Sequence, residues 1–131
     1  MRLESREQVL RAICSDKYDA ASGRVSPSLF RGSNTSISRL AIFPLAKQWR
    51  VLAATVQKLP GRRLERLGEI GVGRLEELGR EHQTPVSLSV IADPVPANAA
   101  HGIIPENISG GLSNTIIRNL SYHEVRDSIS A

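Results

Sequence analysis

The sequence predicts an α+β domain, a small sheet packed against two to four helices. Two observations carry that prediction. Apolar residues recur at a helical period in some stretches and alternate in others, with no strict succession of strand and helix. The 131 residues suit one domain with a real hydrophobic core, and 40% of them are hydrophobic. Aromatics are only 4%, so that core must rest on Leu, Ile, Val and Ala.

Residues 4–14 place Val9, Leu10, Ile13 and Cys14 at helical spacing behind Ser5, a residue suited to capping, and predict a short amphipathic helix. Residues 15–24 read as a loop. Two extended pieces follow at 28–31 and 36–43, separated by a Gly-Ser-Asn turn. The clearest element spans 44–59. Pro44 opens it, and Leu45, Trp49, Leu52, Val56 and Leu59 form one apolar stripe. Lys47, Arg50 and Lys58 fall on another face of the same helix. Residues 64–81 fit either a helix broken by Gly68, Gly71 and Gly73 or a short strand around Ile70 followed by a helix from Arg74. Val86, Leu88 and Val90 alternate with serines and mark the best strand. Residues 93–104 leave that strand as a Pro-containing loop, 111–122 read as a last helix, and 124–131 as a fraying tail.

The net charge of +4 is unevenly distributed. Residues 20–64 contain no Asp or Glu but eight basic residues, among them Arg31, Arg39, Lys47, Arg50, Lys58, Arg62 and Arg63. The remainder holds nine basic and thirteen acidic residues, a net of −4. A merely solvated surface would mix the signs, so the segregation points to an anionic partner or to an acidic remainder folded over the basic third. Arginine outnumbers lysine fourteen to three, and its planar fork grips phosphate where lysine offers a point charge.

Two loops contain candidate chemistry. In "FRGSNTSISR", residues 30–39, Arg31 and Arg39 flank the hydroxyls of Ser36 and Ser38, a composition suited to holding phosphate or to satisfying the loop's own backbone. In "DPVPANAAHGII", residues 93–104, His101 sits among Ala99, Ala100 and Gly102, small neighbours that would let a ligand approach, and Asn98 precedes it. These stretches together resemble a scattered group of small bacterial proteins. That group has a Gly-x-Val-x-x-x-x-Phe stretch, a Ser-hydrophobic-x-Arg strand and an Asp-Pro…Asn-x-Ala-His loop. The matching positions are Gly23, Val25, Phe30, Ser36 or Ser38, Arg39, Asp93, Pro94, Asn98, Ala100 and His101. The resemblance implies no activity, but it adds weight to these positions.

No cofactor is expected. His82, His101 and His123 lie about twenty residues apart, without metal-ligand spacing, so no metal is expected either. No apolar run approaches the roughly 18 residues of a membrane span, and the N-terminal residues lack the apolar centre of a signal peptide. The lone Cys14 suits a reducing cytoplasm, where it would be an inert, buried thiol. The sequence thus predicts a small cytoplasmic binding or accessory protein. Its partner is anionic, a phosphate-bearing one such as nucleic acid or a nucleotide, or else an acidic protein surface, met through the basic segment 20–64. The alternative is a small enzyme acting on a phosphate-containing substrate, with His101 as acid or base and Arg31 and Arg39 as anion clamps.

Overall fold

The computed structural model describes residues 1–124. In chain order the elements are β1 (Gln8–Cys14), a 3-10 turn (Ser15–Lys17), β2 (Tyr18–Asp19), β3 (Arg24–Val25), β4 (Thr35–Arg39), α1 (Leu45–Val56) and β5 (Leu64–Gly71). The second half supplies α2 (Val72–Glu81), β6 (Ile91–Ala92), β7 (His101–Ile104), α3 (Gly110–Ile117) and β8 (Ser121–His123). Six strands form one antiparallel sheet in the order β6-β7-β4-β1-β5-β8, and β2 with β3 make a small separate hairpin. The architecture is α+β. No helix of the described residues is long and apolar enough to cross a membrane.

Residues 8–14 form a strand where the sequence predicts a helix. Val9 and Ile13 point to one face of the sheet and Leu10 and Ala12 to the other, and both faces are covered. A strand buried on both sides loses its polar alternation, so its apolar residues also satisfy a helical period. Cys14 is accordingly half-buried on a strand, and burial pushes its thiol pKa up. The extended piece expected at 28–31 is a turn, and the one at 36–43 shifts to β4 and ends at Arg39. Residues 64–81 are a strand followed by a helix. The strand is longer than the short one expected, because Gly68 leaves room for Leu120, whose Cδ1 would lie 2.8 Å from an added Cβ. The stretch at 86–90, expected to be the best strand, has no strand pairing, although Leu88 and Val90 are buried; the strand is the two residues that follow, Ile91–Ala92. The last helix is shorter than expected, Gly110–Ile117, and Ser109 caps it by accepting from the Leu112 N–H. Of the tail at 124–131, residues 125–131 lie outside the described residues.

The main core lies between one sheet face and α2 with α3. It joins Val9, Ile13, Ile37, Ile70 and Ile104 to Leu75, Leu78, Leu112 and Ile116, with Phe30 fully buried at its edge. The opposite face has a smaller cluster in which Trp49 of α1 covers Leu10 and Leu67. Helix α1 follows the predicted stripe, with Pro44 just before it and Leu59 exposed beyond its end. It roofs β1 and β5 and leaves β4 and β7 partly open. That opening is where the candidate site lies.

Helix α2 approaches the 86–88 segment at Gly79, whose carbonyl accepts from the Val86 N–H at 3.0 Å. A Cβ at Gly79 would stand 2.5 Å from the Val86 oxygen and 3.0 Å from Leu88 Cγ. Alanine normally stabilises a helix interior by about 1 kcal/mol over glycine. Here overpacking should reverse the sign, so Gly79→Ala should lower stability by roughly 1–3 kcal/mol in urea denaturation. A stabilised variant would show that α2 does not pack this closely.

Candidate functional site

Strand β1 pairs with β5 along its whole length but with β4 only at Val9 and Leu10. Beyond that point β1 and β4 part. The gap is bridged by Arg11, whose Nε and Nη2 donate to the Leu29 carbonyl at 3.2 and 3.0 Å and whose Nη1 donates to the Ser36 carbonyl at 3.0 Å. The guanidinium also lies 5.9 Å from the Phe30 ring centroid. A side chain thus satisfies a strand carbonyl facing the gap. Above the gap opens a cleft of about 540 Å³, within the size range of small-molecule sites.

The cleft has an apolar wall, Leu52, Val56 and Leu59 from the last turns of α1 and just beyond, and a cationic end, Arg11, Lys17 and Arg62. Asp16 is the only carboxylate among its lining residues, so three cations meet one anion. Asp16 lies 3.6 Å from Arg62. Lys17 donates to Ser28 Oγ at 2.9 Å. Arg11 has no carboxylate within ion-pair distance among the described residues, and desolvation lowers its pKa. Three of its five N–H groups serve the two carbonyls, which leaves two.

Across the cleft stand Ser36 and His101, diagonal neighbours on one sheet face because Ser38 pairs with His101 and Ser36 with Ile103. His101 Nε2 is 3.1 Å from Ser36 Oγ. Its Nδ1 is 2.9 Å from the Asp93 carbonyl oxygen and 3.2 Å from the Asp93 carboxylate. A carbonyl can only accept, so Nδ1 bears the proton. In the neutral ring Nε2 then carries a lone pair, and the Ser36 hydroxyl donates to it. The Ser36 side chain is exposed to the cleft, while the His101 side chain keeps 20% of its surface open.

Ser38 and Asn98 also line the cleft, but they are buried and engaged in support. Ser38 Oγ donates to Gln48 Oε1 at 2.5 Å and accepts from Asn98 Nδ2 at 3.2 Å. Gln48, fully buried on α1, donates to the Arg39 and Phe43 carbonyls at 2.8 and 3.1 Å. Asn98 Oδ1 accepts from the Ala100 N–H at 2.9 Å, and its carbonyl accepts from Val95 and His101. These bonds tie α1, β4 and the 93–101 loop into one unit. The small neighbours of His101 serve the sheet: Ala100 is fully buried, and a Cβ on Gly102 would lie 2.9 Å from the Ile91 oxygen.

The cleft brings together Ser36, Ser38, Asn98, His101 and Arg62 of the predicted residues. Arg39 is not among them. Its side chain pairs with Glu7 at 2.7 Å, each partner only 14% exposed, and by strand alternation it projects from the face opposite Ser38. Arg31 is exposed on the turn before β4 and does not line the cleft. Arg63 pairs with Glu65 at 3.0 Å. Lys47, Arg50 and Lys58 lie exposed and without a carboxylate partner among the described residues, Lys47 resting 4.1 Å from the Phe43 ring centroid. Among the described residues there is no group of three or more His, Cys, Asp or Glu arranged to hold a metal. Sequence reasoning missed Arg11 and Lys17. The available signal was an arginine at the centre of the apolar run "VLRAIC". No protein-family model, curated protein or solved structure matches the chain.

Support and chemistry separate experimentally. Asn98→Ala leaves the Ser38 hydroxyl and the Ala100 N–H short of partners in a buried place and should cost roughly 1–3 kcal/mol in urea unfolding. His101→Gln, at a partly open position, should cost less than about 1 kcal/mol. The reverse order would make His101 a structural residue.

Proposed function

We propose that the protein is a cytoplasmic binding protein for a phosphate-bearing small molecule of nucleotide size, held in the cleft between β1 and β4. The observation that carries this reading is Arg11, a largely desolvated guanidinium with two unused N–H groups, no carboxylate within ion-pair distance among the described residues and a cleft beside it. A charge withdrawn from water is costly unless an opposite charge arrives. With Lys17 and the Arg62–Asp16 pair nearby, a dianionic phosphate would meet three cations and one carboxylate, a net charge of +2, while the apolar wall of α1 suits the rest of the ligand.

Nucleic acid is less well served. Binding a polyphosphate backbone requires several free cations in a row. Of the basic residues from 39 to 63, Arg39, Arg62 and Arg63 face Glu7, Asp16 and Glu65, leaving Lys47, Arg50 and Lys58 on α1 and the turn after it. A second reading is favoured by the hydrogen bonds of His101. The Asp93 carbonyl fixes the tautomer whose Nε2 can accept a proton, which supports a reading in which the protein acts on a phosphate-containing substrate with His101 as acid and base.

Calorimetric titration with adenosine monophosphate and with inorganic phosphate tests the binding reading. Arg62→Gln, at the open end of the cleft, should weaken binding about 3- to 10-fold, in line with an exposed charged contact. Arg11→Met should abolish it in protein shown by circular dichroism to be folded. Arg50→Gln, away from the cleft, should leave binding within about twofold. Loss of binding with Arg50→Gln and not with Arg62→Gln would move the site to the outer face of α1.

A further inference from the structure

We infer that Ser36 is a nucleophile, activated by the His101–Asp93 pair, and that it forms a covalent phosphoserine intermediate on a phosphate ester bound in the cleft. The inference rests on the enzyme reading and extends it from a base to a reacting serine. Three geometric facts converge on it. Ser36 Oγ, His101 Nε2 and His101 Nδ1 lie in one relay that ends at Asp93, with links of 3.1 Å at the serine and 2.9 and 3.2 Å at the aspartate. These are the reach and order that a nucleophile, base and orienting group require. The relay is also directional, because the Asp93 carbonyl makes Nδ1 the donor and leaves Nε2 to take the serine proton.

Of the two strand serines that face the cleft, only Ser36 is free to react. Ser38 is buried, and its hydroxyl is shared between Gln48 and Asn98. Ser36 is exposed, and His101 is its only side-chain partner among the described residues. Its own carbonyl accepts from Arg11 Nη1, which holds the backbone of the nucleophile.

The reaction balances without a redox partner. Ser36 Oγ attacks phosphorus while its proton passes to His101 Nε2. The bond from phosphorus to the ester oxygen breaks with its electron pair, and that oxygen takes the proton from Nε2 and leaves as the alcohol. Water then gives a proton to Nε2 and attacks the phosphoserine. Ser36 Oγ departs with the bonding pair and recovers the proton, and phosphate is released.

The test is labelling with diisopropyl fluorophosphate, a neutral phosphorus electrophile that needs no cation to bind, followed by intact mass and peptide mapping. One adduct per chain is expected, on Ser36, with fluoride as the leaving group. Ser36→Ala should show none, and His101→Gln should label about 100-fold more slowly or worse. Mapping the wild-type adduct identifies the serine even if Ser36→Ala fails to fold. An adduct on another serine, no adduct on folded protein, or an unchanged rate in His101→Gln would overturn the inference. Phosphate titration of the same sample separates the two claims. Binding without labelling removes the nucleophile alone, whereas labelling without binding keeps Ser36 and removes the anion site.

Discussion

Arg11 stands where a backbone ladder would otherwise run. Strand β1 is fully paired to β5 on one side, yet it leaves β4 after Val9 and Leu10. An open gap between central strands would leave the Leu29 and Ser36 carbonyls without a protein partner beside the buried Phe30. The guanidinium closes the gap by serving the carbonyls of Leu29 and Ser36. It does so while placing a positive charge that no carboxylate reaches within ion-pair distance among the described residues, Asp16 acting on it only from further off. The same substitution of side chain for backbone therefore holds the sheet together and creates the cleft's electrostatic character.

The opposite wall depends on a second buried polar unit. Gln48 reaches from α1 to Ser38 and to the Arg39 and Phe43 carbonyls, and Asn98 joins Ser38 to the loop that carries His101. Such a network is costly if partly satisfied and rigid when complete. Here every member has its partners, so the loop after β6 is held by β4 rather than by its own prolines. Because Ser36 and His101 both belong to paired strands, their alignment is a consequence of sheet register. A site on paired strands is positioned more firmly than one on free loops.

Parts of this were legible in the sequence and parts were not, for physical reasons. Helix α1 was legible because its stripe is one-sided and Pro44 marks its start. Strand β1 was not, since burial on both faces removes the alternation that identifies a strand. Ser36, Asn98 and His101 stood out by residue type, and they do share a cleft. The roles of Ser38 and Asn98 as supports depend on Gln48, ten and fifty residues away in the chain, and no local pattern shows that. The acid-free segment had the same limitation. Its charges are matched in part by Glu7, Asp16 and Glu65, which lie outside it in sequence and beside it in space. Arg11 was hidden because a single arginine inside an apolar run looks like the solvent side of a helix.

The most direct measurement of the central claim locates the anion rather than its affinity. Adenosine monophosphate should be titrated into isotopically labelled protein while the Arg11 side-chain Nε–H and the backbone amides are followed by NMR. The account predicts saturable shifts at Arg11 Nε–H and at the amides of Lys17, Ser36 and Arg62, around the cleft's cationic end. Shifts confined to the amides of Lys47, Arg50 and Lys58, with Arg11 unmoved, would contradict it.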